Sequence, residues 1–295
     1  MNLFVFGAGF SGRAIARAWP GPVAGTTRSH ENFAALEAER IEPVIFDGEI
    51  TQPLAARLAK ATHLVQSVAP ARRADPDPDA IVDPVLRAVA PRSLRDIAPN
   101  LEWVAYLSTV GVYGNHDGAW VDEETAVAPA SERSRQRVAA ETEWQAFAEA
   151  TAVPVAILRL SGIYGPGRNA LVNAVEGKAR RLVKPGQVFN RIHVEDIATA
   201  VRLAGERHAA GIFNVTDDEP APPQDVVAHA HDLIGRPPPP EIDFETADLS
   251  PMARSFYGEN KRVSNARSKS ELELDYAYPN YREALARMWR EDRWR

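Results

Sequence analysis

Six residues near the start of the 295-residue chain, Gly7-Ala8-Gly9-Phe10-Ser11-Gly12, have the types and spacing of a phosphate-binding turn. In such a turn a first glycine permits the tight bend after a strand and a second lets backbone approach a pyrophosphate. A third lets the following helix pack closely on that strand. The helix start would present amides and partial positive charge to the phosphates. The turn follows the apolar run Leu3–Phe6 and opens the helical run Arg13–Trp19, so Gly7, Gly9, Phe10, Ser11 and Gly12 are candidate dinucleotide-binding residues. The residue that selects the adenosine ribose ordinarily follows the second strand, where Asp or Glu holds the diol. Here Thr26-Thr27-Arg28 occupies that place. An arginine offers charge-assisted hydrogen bonds to a 2′-phosphate, so Thr27 and Arg28 point to NADP(H) over NAD(H). If Arg28 only faces solvent, Glu31 reaches the ribose instead.

The elements that must position this turn follow from periodicity. Apolar runs at Leu3–Phe6, Val23–Thr26, Val44–Phe46, His63–Val68, Trp103–Leu107 and Val155–Leu160 read as buried parallel strands. Helical segments fall between them at Glu31–Arg40, Pro53–Lys60, Ala80–Ile97 and Ser131–Ala150. This alternation predicts an α/β fold, a doubly wound parallel sheet of Rossmann-like form with a smaller C-terminal substrate-binding region. Residues 1–160 form the expected NAD(P)-binding domain. Residues 161–295 are mainly the substrate-binding region, with 188–215 returning to the sheet. The Asp75–Asp79 alternation of Asp and Pro reads as a loop, and a short helix is expected around Leu171–Ala179.

Four further stretches stand in a fixed order: Phe46-Asp47-Gly48, Leu107-Ser108-Thr109-Val110-Gly111-Val112-Tyr113-Gly114, Leu158-Arg159-Leu160-Ser161-Gly162-Ile163-Tyr164-Gly165-Pro166-Gly167, and Arg191-Ile192-His193-Val194-Glu195-Asp196. With the glycine turn, they resemble the extended short-chain dehydrogenase/reductases, the NAD-dependent epimerase/dehydratase family. The resemblance spans nearly the whole chain. It implies that Asp47 approaches the adenine and that Val68, Ala69 and Pro70 form the loop near the ribose and phosphates. It places Thr109, with its neighbour Ser108, at the reacting oxygen, and Leu160, Gly162 and Ile163 beside the nicotinamide. Tyr113, Tyr164, Arg168 and Arg191 are its substrate-cleft candidates. Arg159 at the end of a strand reads as structural.

One departure from the family pattern is consequential. The family's Tyr-x-x-x-Lys pair falls on Arg133 and Arg137 when Glu141 is set against the glutamate that usually follows the lysine. No tyrosine occurs anywhere in Ser131–Ala150. Arg137 can still hold the ribose and supply positive charge, but a guanidinium is a poor proton donor. The proton would then pass through Thr109, Ser134, Tyr113 or a water. The expected activity is NAD(P)-dependent oxidoreduction or epimerisation at an alcohol or carbonyl carbon of a small polar, sugar-derived metabolite, with Thr109, Ser108 and Arg137 as catalytic candidates. The alternative is an NADP(H)-binding sensor or scaffold without turnover.

Composition narrows the remaining classes. With 34 basic and 40 acidic residues the net charge is −6, which offers no basic face for nucleic acid. There is no cysteine, so disulfides and thiol chemistry are excluded, and no metal centre is expected. No apolar run approaches the roughly 18–20 residues of a membrane span. The N-terminal residues enter a strand directly and lack a basic leader, which predicts a cytoplasmic protein. A homodimer is expected by analogy with the family alone.

Overall fold

The computed structural model describes residues 1–70 and 81–295. The first half comprises β1 (Leu3–Phe6), α1 (Phe10–Ala18), β2 (Val23–Thr27), α2 (Phe33–Ala38), β3 (Ile41–Ile45), α3 (Gln52–Leu58), β4 (His63–Gln66), α4 (Pro84–Val89), α5 (Leu94–Ile97), β5 (Trp103–Thr109), β6 (Trp120–Val121) and α6 (Glu132–Thr151). The second half continues with β7 (Val155–Leu160), β8 (Gly162–Tyr164), α7 (Ala170–Val175), β9 (Arg181–Val183), β10 (Arg191–His193), α8 (Val194–Glu206) and β11 (Gly211–Val215). It ends with α9 (Pro223–Leu233), β12 (Glu241–Asp243), α10 (Pro251–Phe256), β13 (Arg262–Val263), α11 (Ala266–Glu271) and α12 (Tyr281–Arg290).

Seven of these strands form one parallel sheet in the order β11-β7-β5-β4-β1-β2-β3. The order reverses at β1, whose neighbours are β2 on one side and β4 on the other. A crevice opens there at the carboxyl ends of the strands. The run Leu-Phe-Val-Phe of β1 is buried on both faces, as a central parallel strand requires. Its alternate side chains serve two cores. Leu3 and Val5 join α1 and α8, whereas Phe4 and Phe6 join α3 to α6 on the other face. A third core, around Leu171, Tyr281, Leu285 and Trp294, holds α7, α9 and α12 together beyond the sheet.

Buried polar groups tie the layers. Asp83 caps α4 by accepting the amides of Val85 and Leu86 at 2.8 and 3.1 Å. Its other oxygen accepts from Gln66 Nε2 on β4 and Trp144 Nε1 on α6, at 2.8 and 3.1 Å. The helix expected over Ala80–Ile97 is in fact α4 and α5, with Pro91 between them. Proline lacks the amide that a continuous helix would need there. The Asp75–Asp79 stretch lies outside the described residues. Of the segment expected to return to the sheet, β11 does so and α8 packs on α1, but β10 pairs with β8 in a separate two-stranded sheet. Among the described residues no helix is long and apolar enough to cross a membrane.

The packing of α8 makes one substitution informative. Alanine for glycine inside a helix ordinarily stabilises by about 1 kcal/mol. At Gly205 a Cβ would stand 2.7 Å from Trp19 Cη2 and 3.3 Å from Trp103 Cζ3. Gly205→Ala is therefore expected to destabilise, by roughly 1–3 kcal/mol, through overpacking. Urea denaturation of the variant and the parent protein reads the sign directly.

Candidate active site

The glycine turn has the geometry that its three roles require. Gly7 adopts φ +87°, and its amide donates to Thr26 Oγ1 at 2.8 Å, so β2 holds the bend. A Cβ on Gly12 would lie 2.5 Å from the Gly7 carbonyl oxygen, which only glycine avoids. A Cβ on Gly9 would meet nothing within 4 Å. Gly9 is also the residue before α1, with no side chain capping the helix start, so amides there are available to a ligand.

The turn opens into a cleft of about 1790 Å³, large enough for a dinucleotide. Of the expected cofactor residues, Gly7, Gly9, Phe10, Thr27, Arg28, Asp47, Val68 and Ala69 line it together. Ser11 and Gly12 are buried within α1 and support the turn from behind. At the end of β2, Asn32 Nδ2 donates to Thr27 Oγ1 at 2.9 Å, giving a neutral polar pair, while Arg28 is exposed at the rim.

Pro70, Thr109, Arg137, Leu160, Gly162 and Ile163 lie outside the lining of this cleft. Thr109 ends β5 half-buried, with its Oγ1 accepting the Gly111 amide at 3.1 Å. That bond leaves the hydroxyl proton free to be donated. Across from it, a Cβ built on Gly111 would stand 3.1 Å from Ser134 Oγ and 3.4 Å from Thr109 Oγ1, so the two hydroxyls flank one point. Ser134 Oγ in turn accepts from Ser131 Oγ at 2.9 Å. Arg137, one turn further along α6, donates from Nη1 to the Leu107 carbonyl at 2.9 Å and to the Tyr106 hydroxyl at 3.1 Å. Tyr106 is fully buried, and burial pushes its phenol far above the usual range despite that guanidinium. It anchors Arg137 and does not stand in for the missing phenol. Arg133 is exposed, its guanidinium 5.2 Å from the Phe256 ring centre.

Ser108, expected beside Thr109 at the reacting oxygen, turns the other way because strand side chains alternate. It is buried and donates to Glu141, which forms an ion pair with Arg159 at 2.7 Å. Arg159 is thus structural, as its position suggested. The four expected substrate residues do not all meet at one point: Tyr164 and Arg191 interact electrostatically with each other and with Asp217, whereas Tyr113 and Arg168 make their contacts elsewhere. Tyr113 is fully buried with its hydroxyl donated to Asn214 Oδ1 at 2.8 Å. Tyr164 is buried edge-on to His193, 5.3 Å between ring centres. Arg191 donates to the carbonyls of Phe189 and Ala221 at 2.9 and 3.1 Å. Arg168 is exposed and sits 5.8 Å from the Phe10 ring centre, beside the glycine turn.

His193 holds its loop. It stacks on Tyr278 at 3.6 Å, accepts the Glu195 amide at Nδ1, and is held neutral by burial, which lowers its pKa to about 4. His63, Glu102 and His208 approach one another at the opposite end of the sheet. Both His63 nitrogens are already engaged there, by Thr62 Oγ1 at 2.8 Å and the Gly205 carbonyl at 3.3 Å. Sequence reasoning missed Tyr106 as an anchor, although its place two residues before Ser108 put both on one face of β5. It also missed the cleft-lining Arg293 and Arg295, for which the sequence carries no motif.

Comparison with known proteins gives a consistent result. The sequence model of the NAD dependent epimerase/dehydratase family matches residues 3–216. A conserved protein of unknown function from Silicibacter pomeroyi superposes with a TM-score of 0.86 at 45% identity, covering 99% of each chain. The dTDP-glucose 4,6-dehydratase of Bacillus anthracis, in complex with NAD, superposes with a TM-score of 0.74 at 19% identity, over 99% of this chain and 97% of that one, a likeness of fold. The 3-diazoavenalumate denitrifying reductase of a Streptomyces species is 28% identical over 142 residues, 44% of this chain and 46% of its own. The match thus spans about half the length of that relative. The two dTDP-glucose 4,6-dehydratases and the UDP-glucuronic acid 4-epimerase among the solved structures hold NAD. This overturns the expected preference for NADP(H). That expectation rested on the charge of Arg28, and a hydrated guanidinium at an open rim does not by itself make a 2′-phosphate pocket.

Two outcomes follow from this geometry. Gly9→Val fills the space above the turn and is expected to abolish dinucleotide binding with little change in stability, whereas Gly12→Val costs roughly 1–3 kcal/mol of stability. Calorimetric titration beside thermal denaturation separates the two effects. His193 has a folded pKa near 4, below its ordinary 6.5, so its contribution is present above pH 6.5 and lost as pH falls toward 4. The loss is on the order of 3 kcal/mol. Asp196 and Asp217, whose carboxyls burial pushes up to about 6 and about 8, change stability in the opposite sense. The test is therefore the difference in urea stability between the protein and His193→Asn across pH 4 to 7, which should shrink as pH falls.

Proposed function

The chain belongs to the NAD-dependent epimerase/dehydratase family, and from that premise we propose that it is an NAD(H)-dependent oxidoreductase or epimerase acting at an alcohol or carbonyl carbon of a small polar, sugar-like metabolite. The observation that carries this reading is the open space above Gly9, set between a φ-positive Gly7 and a helix start without a side-chain cap. The residues fit a dinucleotide. Amides at the start of α1 would take its phosphates, the Thr27–Asn32 pair its adenosine ribose, and Asp47 the adenine side. When bound, the nicotinamide supplies a hydride acceptor or donor.

The chain's own groups must hold the reacting oxygen and manage its proton. Thr109 accepts the Gly111 amide and so directs its own O–H outward. Ser134, on the other side of Gly111, is backed by the Ser131 hydroxyl and can pass a proton along that pair. Hydroxyls on both sides thus replace the hydrogen bonding that a phenol provides elsewhere in the family. The bonds of Arg137 to β5 use Nη1, leaving further N–H donors of its guanidinium for the nicotinamide ribose. A dinucleotide-binding protein without turnover is the second reading, favoured by the lack of any tyrosine in Ser131–Ala150.

A panel of carbonyl compounds, sugar alcohols and sugar nucleotides, followed by nicotinamide absorbance, separates these readings. Turnover is expected, and Thr109→Val and Ser134→Ala should each lower kcat by about 10²-fold or more with NAD⁺ affinity unchanged. Tight NAD⁺ binding with no turnover on any member of the panel would favour the second reading.

A further inference from the structure

Opposite the glycine turn, the cleft has a wall that no motif marks. Residues 292–295 run past the loop after β8. The Trp294 carbonyl accepts the Gly167 amide at 3.0 Å and Asn169 Nδ2 at 2.7 Å. Asn169 is buried, and its Nδ2 also donates to the Gly165 carbonyl at 2.8 Å. The Trp294 indole is buried as well, with Nε1 donating to Asp292 Oδ1 at 3.1 Å. This attachment brings two cations to the cleft. Arg293 pairs with Glu195 on α8 at 2.8 Å, and the Arg295 guanidinium lies 4.4 Å from the Trp294 ring centre. The same loop touches the phosphate turn, because a Cβ on Gly165 would stand 3.3 Å from Phe10 Cζ. Phe10 is the first residue of α1, so the wall borders the helix start.

We infer that residues 292–295 form a phosphate clamp in which Arg295, with Arg293 beside it, binds the dinucleotide pyrophosphate from the side opposite the glycine turn. The inference rests on the dinucleotide reading above. A helix start supplies only about half a positive charge, against two negative charges on a pyrophosphate. Elsewhere on the lining, Arg13 and Arg17 are both committed to Glu39, while Arg28 stands just after β2 and Arg87 on α4. Arg295 has no carboxylate partner among the described residues, and its guanidinium lies over the ring of a buried indole, a contact that restricts the side chain. A planar guanidinium held in this way can bind phosphate oxygens in pairs with little further loss of side-chain freedom. The pairs of Arg293 with Glu195 and, at 3.9 Å, with Glu291 are solvent-exposed, so exchange of a carboxylate for a phosphate costs little.

The test is calorimetric titration of NAD⁺ and of ADP-ribose, which has the pyrophosphate but no nicotinamide, into the unaltered protein, Arg295→Ala, Arg293→Ala and Gly9→Val. Arg295 is exposed, so thermal denaturation of its variant should match the parent. Arg295→Ala is expected to weaken both ligands equally, by about tenfold, as loss of a charge-assisted hydrogen bond should. Arg293→Ala should weaken both in the same sense, by a smaller factor. Affinities within twofold of the parent for both ligands in Arg295→Ala would overturn the clamp while leaving the dinucleotide reading intact. A loss confined to NAD⁺ would also overturn it, by placing these arginines at the nicotinamide end. If the unaltered protein binds neither ligand, the dinucleotide reading itself fails, and the clamp with it.

Discussion

The close packing of Gly12 against the Gly7 carbonyl sets the position of the helix start that borders the cleft. Any side chain at Gly12 would bring carbon within 2.5 Å of that oxygen, so α1 can start directly above β1 only with glycine there. With the helix held this near, its first amides lie over the end of the strand. The sheet order then acts on this fixed point. Because β1 is flanked by β2 and β4, the chain leaves in opposite directions on its two sides and a crevice remains at the helix start. Thr26 completes the arrangement from β2 by accepting the Gly7 amide, so the bend is held by a strand. A turn held by strands is rigid, and its open amides need no reordering when an anion arrives.

The second half of the cleft depends on α6, and buried polar groups hold that helix. Glu141 faces Arg159 of β7 and Ser108 of β5, in an ion pair whose members are each about 95% removed from solvent. Such a pair adds little net stability over an apolar replacement, but removing one partner would strand a buried charge. Its effect is to fix the rotation of α6 against two strands at once. Arg137, one turn earlier, then reaches Tyr106 and the Leu107 carbonyl. The helix therefore keeps its orientation without the family's tyrosine and lysine. What changes is the chemistry presented there: a fixed cation on the helix, with the hydroxyls of Ser134 and of Thr109 on β5, in place of a phenol whose pKa a neighbouring lysine lowers. Proton transfer through Thr109 and Ser134 is the chemistry that this geometry leaves open.

The legible parts of this molecule are local. A buried parallel strand must be apolar on both faces, so Leu3–Phe6 and Val155–Leu160 declare themselves, and the glycine spacing declares the turn between strand and helix. The family resemblance adds the order of the motifs. Where the reading departed from the structure, the deciding information was not local. Ser108 and Thr109 are adjacent in sequence, yet strand pleating sends one to a buried carboxylate and the other to the open end of β5. Tyr113 sits in a family motif, but what it touches is Asn214, 101 residues away. The helix expected over Ala80–Ile97 has the composition of one helix and is divided by the missing amide of Pro91. The cofactor preference was inferred from one charge, whereas selectivity depends on how many groups converge on a single phosphate.

The wall opposite the turn extends the same reasoning to affinity. Asn169 and Trp294 meet across 125 residues of sequence, a contact that no pattern in either segment announces. Its energetic consequence follows from when the ordering occurs. If a strap becomes ordered only as the ligand binds, the lost chain entropy subtracts from affinity. Here the Trp294 carbonyl already accepts two hydrogen bonds and the indole is already buried in the core of α7, α9 and α12. The ordering of residues 292–295 is thus part of the folding free energy. Charge placed on that wall can act on an anionic ligand without that entropic cost. The cleft is then a junction of two preorganised pieces, a backbone turn from the first strand and a cationic edge beyond the last helix. Each supplies what the other lacks: the turn offers many weak neutral donors, and the edge offers compensating charge.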